Sequence, residues 1–117
     1  MAWTPSQVVT VDGRTMMSDS PDWLRYCEAL TVIKSPEHIG GRYRSMLERM
    51  RGKAGLEALE QQVNLIEPAY VLSLPDKPTR RAHLDKVQRT RGEVARLVLE
   101  DRVRALHAER MAAEVPA

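Results

Sequence analysis

Arginine supplies the most accessible chemistry in this chain: 14 of its 18 basic residues are Arg, and they cluster. Residues 42–53, RYRSMLERMRGK, hold five basic residues and one acidic; residues 77–91, KPTRRAHLDKVQRTR, hold six and one. A guanidinium is planar, permanently charged and forked, so it binds carboxylate or phosphate through two parallel hydrogen bonds and stacks on flat groups. That chemistry suits either an acidic protein surface or a phosphate backbone. The candidate partner-binding residues are Arg42, Arg44, Arg49, Arg51 and Lys53 in the first cluster, and Arg80, Arg81, Lys86, Arg89 and Arg91 in the second. Against a phosphate-contacting strip, Glu57, Glu60, Glu67, Glu93, Glu100 and Asp101 follow the basic segments and can neutralise them in the fold. Neither a helix-turn-helix nor an aromatic RNA-stacking motif is evident. Protein docking is therefore the preferred reading, nucleic-acid binding the alternative, and plain solvated helix faces the third.

Other chemistry is sparse. His38, His83 and His107 are scattered, with no i, i+4 His pair, and read as solvated surface residues. Cys27 is the only cysteine, which excludes an intramolecular disulfide and a cysteine cage within one chain, and it reads as a small hydrophobe rather than a nucleophile. Gly40-Gly41 lacks the pattern of a phosphate-binding loop, and Glu100-Asp101 beside Arg96, Arg102 and Arg104 is explained by helical ion pairs. No catalytic constellation, metal site or cofactor is expected.

The elements that must carry these residues are helices. With no Phe, the interior falls to Leu, Val and Met, and Met16, Met46 and Met50 stand where core residues are expected. QVVTVDGRTMM (7–17) places Asp12-Gly13 as the turn of a short hairpin. Ser20 as N-cap and Pro21 at the first helical position predict a helix that carries Trp23, Cys27 and Leu30 on one face and stops by Ser35, ahead of Pro36. Ile39, Tyr43, Met46, Leu47 and Met50 form a second apolar stripe, ending at Gly52; Leu56, Leu59, Val63 and Ile66 form a third, reaching Pro68, which either kinks that helix or opens a new one. Pro75 and Pro78 bracket the next break, a helix follows to 91, and a long final helix carries Val94, Val98, Leu99, Val103 and Leu106.

LERMRG (47–52) and VQRTRG (87–92) lie forty residues apart, and the similarity extends on both sides. Aligning 41–63 with 81–103 pairs Arg49/Arg89, Arg51/Arg91, Gly52/Gly92, Leu59/Leu99, Glu60/Glu100 and Val63/Val103; a one-residue shift adds Glu28/Glu67, Val32/Val71 and Pro36/Pro75. These nine matches exceed the roughly two expected by chance over such a length. Both copies read as a short helix, a proline break, a basic helix ending in Arg-Gly and an acidic-apolar helix. The plain reading of each Arg-Gly is helix closure, with Arg complementing the dipole and Gly taking a left-handed cap.

The run VLSLPDKPTRRAHLDKVQRTRGEVARLVLEDRV (71–103), with its Leu-Pro, Arg-Arg and Arg-Gly, resembles a small uncharacterised domain family of tailed-phage and prophage genomes; VDGRTMMSDSPDWLRYCEA (11–29) is similar to that family's opening segment. The resemblance implies a phage setting and no mechanism. The expected architecture is mostly α: a compact helical bundle of about five helices in a single domain, 1–117, with a short N-terminal β-hairpin or arm (1–19), two tandem helical units (20–66 and 67–113) and a frayed tail (114–117). The expected protein is not an enzyme, uses no cofactor and acts on a phage or host protein in the bacterial cytoplasm or in association with a virion. No apolar run reaches the ~18 residues of a membrane span, and no export signal is expected.

Overall fold

A computed structural model describes residues 4–35 and 37–114, and at 37–40 the backbone alone. Pro36, the side chains of His38 and Ile39, Trp3 and the last three tail residues therefore lie outside the described residues. The element order is β1 (Gln7–Val9), β2 (Thr15–Met17), α1 (Pro21–Lys34), α2 (Glu37–Ser73), α3 (Lys77–Arg91) and α4 (Glu93–Glu114). The chain divides into two compact units, Met1–Ile66 and Glu67–Ala117, with the division falling inside α2. The molecule is mostly helical, with four helical spans among the described residues rather than five. The difference lies at Gly52, where φ 75° and ψ −177° leave the helical path, so that two helical stretches meet across a kink within the one span α2. Pro68 lies inside α2 and does not open a new helix.

In the first unit, β1 and β2 pair antiparallel with Val8 opposite Met16 and Val9 opposite Thr15. The connection is wider than a two-residue turn: Thr10 N–H donates to the Arg14 carbonyl, Gly13 N–H to the Thr10 carbonyl, and Gly13 takes φ 87°. Val11 N–H donates to the Tyr26 hydroxyl at 2.9 Å, tying the hairpin to α1. The α1 start follows the capping rule, with Ser20 Oγ accepting from Trp23 N–H at 3.1 Å and Pro21 in the first turn. Its buried face is Tyr26, Ala29, Val32 and Ile33, whereas Trp23, Cys27 and Leu30 are half-buried at its margin; the expected stripe was offset around the helix. Trp23 and Tyr26 stack with ring centroids 5.2 Å apart. From α2, Leu47, Leu59, Val63 and Ile66 are buried, but Met46 and Met50 are exposed, the latter by 70%. Met16 is half-buried.

In the second unit, the core is Val71, Val87 and Leu99, flanked by Leu84, Ala95 and Val103. It joins the end of α2 to both later helices. Asp76 caps α3, its side chain accepting from Thr79 N–H at 2.8 Å; the Thr79 side chain first, and this N–H second, hold its carboxyl below the usual range. Gly92 separates α3 from α4 with φ 96° and ψ 168°, nearly the geometry of Gly52.

Candidate functional site

Each unit contains a guanidinium clasped to a carboxylate at repeat-equivalent positions. In the first, Arg51 Nη1 and Nη2 donate to the two oxygens of Glu28, both at 2.7 Å. In the second, Arg91 Nη1 and Nη2 donate to those of Glu67 at 2.8 and 2.6 Å. Glu67 is 2% exposed, and His83 Nε2 lies 2.9 Å from its Oε2. Because an ionised carboxylate only accepts, His83 carries a proton on Nε2. The His83 ring also meets Tyr70 edge to face at 5.3 Å. His83 is thus a buried structural residue, not the solvated one its isolation in sequence suggested; His107 is exposed. Burial alone pushes the Glu67 carboxyl up, but hydrogen bonds from His83 and Arg91, with their charges, outweigh it and leave it below the ordinary value. At Glu28 the Arg51 hydrogen bond is the larger influence and lowers it. Burial pushes the Cys27 thiol up, away from nucleophilic thiolate.

This pairing changes the standing of the candidate basic residues. Arg51 and Arg91 are each paired within their own unit, so both forks are occupied there. Arg44 Nε donates to Glu60 at 2.6 Å. Lys53 sits in a cleft of about 370 Å³ with Glu48, Glu57 and Glu60 around Leu56, where acidic groups outnumber it. Arg42 and Arg49 are exposed. Lys86 is half-buried and Arg89 exposed, each with partners within the fold.

Arg80 and Arg81 are brought together with cations that sequence reasoning passed over. A cleft of about 420 Å³ lies between α3 and α4, with Val71, Leu84 and Val103 as apolar lining. Lys77, Arg80 and Arg81 line its α3 side; Arg96, Glu100 and Arg104 line its α4 side. Five cations thus face one carboxylate. Arg80 is anchored, its Nη1 donating to the Leu74 carbonyl at 3.1 Å, and Arg96 is held by Asp85 at 2.6 Å and Glu100 at 2.8 Å. Arg104 reaches Asp101 and Glu100 but is 71% exposed, while Lys77 and Arg81 are exposed and carry no ion pair among the described residues. The sequence signal was the phase of the helices: 77, 80, 81 and 84 share one face of α3, as 96, 100, 103 and 104 share one of α4.

No family model, curated protein or solved structure matches the chain at a significant level. No group of His, Cys, Asp and Glu among the described residues could hold a metal ion, and no helix among them is long and apolar enough to cross a membrane. The charge is unevenly placed: residues 1–66 hold eight basic and eight acidic side chains, residues 67–117 ten and eight. The net +2 therefore belongs to the unit that contains the cleft.

Proposed function

We propose that this chain is a non-enzymatic binding protein that works through protein–protein contact, with the α3–α4 cleft taking an acidic segment of its partner. The observation that carries this reading is the combination of an apolar lining, Val71, Leu84 and Val103, with a cationic rim in one concavity. An apolar side chain flanked by carboxylates satisfies both parts: the lining removes the side chain from water, and Lys77, Arg81 and Arg104 meet the charges. Nucleic acid would use the rim but leave the lining without a partner, and the Arg51 and Arg91 clasps remove two cations from any phosphate-contacting strip. The resemblance of 11–29 and 71–103, which implies a phage setting, supports a phage or host origin for that partner.

The test compares three probes by fluorescence anisotropy at low and moderate salt: a peptide of alternating Glu and Leu, an equally acidic peptide with Gly in place of Leu, and duplex DNA. Preference for the Leu-containing peptide, lost on Leu84→Ser and on Arg81→Glu, supports protein docking. Equal binding of both peptides, or DNA retention that weakens steeply with salt and ignores Leu84→Ser, would overturn it in favour of a charge-only surface.

A further inference from the structure

Helix α4 has two apolar sides, and only one is used. Leu99 and Val103 point into the core of the second unit, whereas Val94, Leu97, Val98 and Met111 are 74%, 53%, 43% and 50% exposed. From His107 to Glu114 every side chain is exposed. A helical end without tertiary contacts is marginal in water, so a partner along this side would stabilise it.

The outward residues Val94, Leu97, Asp101, Arg104, Ala108 and Met111 fall at spacings of 3, 4, 3, 4 and 3, the seam of a two-helix coiled coil. The seam is also nearly palindromic in chemistry. If a second α4 runs antiparallel across it, with the two-fold axis midway between Asp101 and Arg104, Val94 meets Met111, Leu97 meets Ala108 and Asp101 meets Arg104, each twice. Within one chain Arg104 Nη1 already reaches Asp101 Oδ1 at 2.9 Å, and these side chains are 71% and 78% exposed, so the pair faces outward and can exchange partners. A parallel arrangement would set Asp101 on Asp101 and Arg104 on Arg104, which like-charge repulsion disfavours. We infer that the outer face of α4 is a self-association surface, on which a second copy of this chain packs its own α4 antiparallel through that seam. The seam and the cleft share Arg104, whereas Val94 and Leu97 belong to the seam alone, so Leu97→Glu tests the seam without touching the cleft lining.

The test is sedimentation equilibrium of the full chain over a wide concentration range. The expected mass is twice the 13.3 kDa of one chain. Leu97→Glu yields the single-chain mass with an unchanged circular dichroism spectrum, because this side chain leaves the core untouched. Asp101→Arg alone and Arg104→Asp alone each weaken association by about tenfold or more through facing like charges, while the two together restore it. A wild-type chain that stays at 13.3 kDa throughout overturns the proposal. So does an associated form indifferent to Leu97→Glu, or a double exchange that remains dissociated while helical.

Discussion

Replacing Arg91 with Met tests how far the second unit depends on its clasp. The Met retains most of the aliphatic stem but leaves Glu67, 2% exposed, with His83 as its remaining hydrogen-bond partner among the described residues. Removing one member of a buried ion pair costs about 3–5 kcal/mol, because the other charge stays desolvated. Arg91 is itself a quarter exposed, which places the expected loss at the lower end, about 3 kcal/mol. For a chain of this size that corresponds to a fall in melting temperature of about 10 °C. Adding Glu67→Gln removes the stranded charge while its carbonyl oxygen still accepts from His83 Nε2, so the double variant should recover at least half of the loss. Urea and thermal denaturation of the two single variants and the double give the coupling directly. The reasoning fails if Arg91→Met costs under about 1 kcal/mol, or if the losses simply add.

Stability should fall on acidification: Glu67 and Glu28 both have folded pKa values below their unfolded ones, so their contribution is complete above the unfolded carboxylate value and disappears as pH drops through the folded values. Melting temperature followed from neutral pH down to pH ~3 checks this, and Glu67→Gln should flatten the acid limb; an unchanged limb contradicts it. Gly52→Ala and Gly92→Ala should each cost about 1–3 kcal/mol by denaturant titration, since both glycines hold positive φ with extended ψ and no atom lies within 4 Å of an added Cβ, leaving backbone strain as the cause. A cost at only one of them would break the parallel between the units. Ser20→Ala should cost about 1 kcal/mol through loss of the α1 cap, measured in the same way.

What the sequence disclosed and what it withheld divide along physical lines. Local rules were legible: Ser20-Pro21 opens α1, Gly13 turns the hairpin, and the Leu59, Val63 and Ile66 spacing marks a buried face. Those signals arise within one turn of helix or one hairpin, so neighbours in sequence are enough to read them. The fate of Met46 and Met50 was not legible, because periodicity finds an apolar stripe without showing whether anything covers it. The clasps were half visible. The repeat paired Glu28 with Glu67 and Arg51 with Arg91, but equivalence between copies does not say that the Glu and Arg of one copy touch across 23 or 24 residues. His83 was misplaced for the same reason: a polar residue reads as solvated until its buried partner is known. The cleft depends on two helices set by the Gly92 break, so Lys77, Arg96 and Arg104 gained significance only from tertiary structure.

Docking of an acidic, apolar-bearing protein segment between α3 and α4 leaves a local mark on the chain. The most direct measurement is a footprint of the Glu-Leu peptide on the isotopically labelled chain by nuclear magnetic resonance. Perturbations confined to the neighbourhood of Leu84, Arg81 and Arg104, with Arg42 and Arg49 undisturbed, are the expected result; a footprint centred on residues 42–53 would contradict the account.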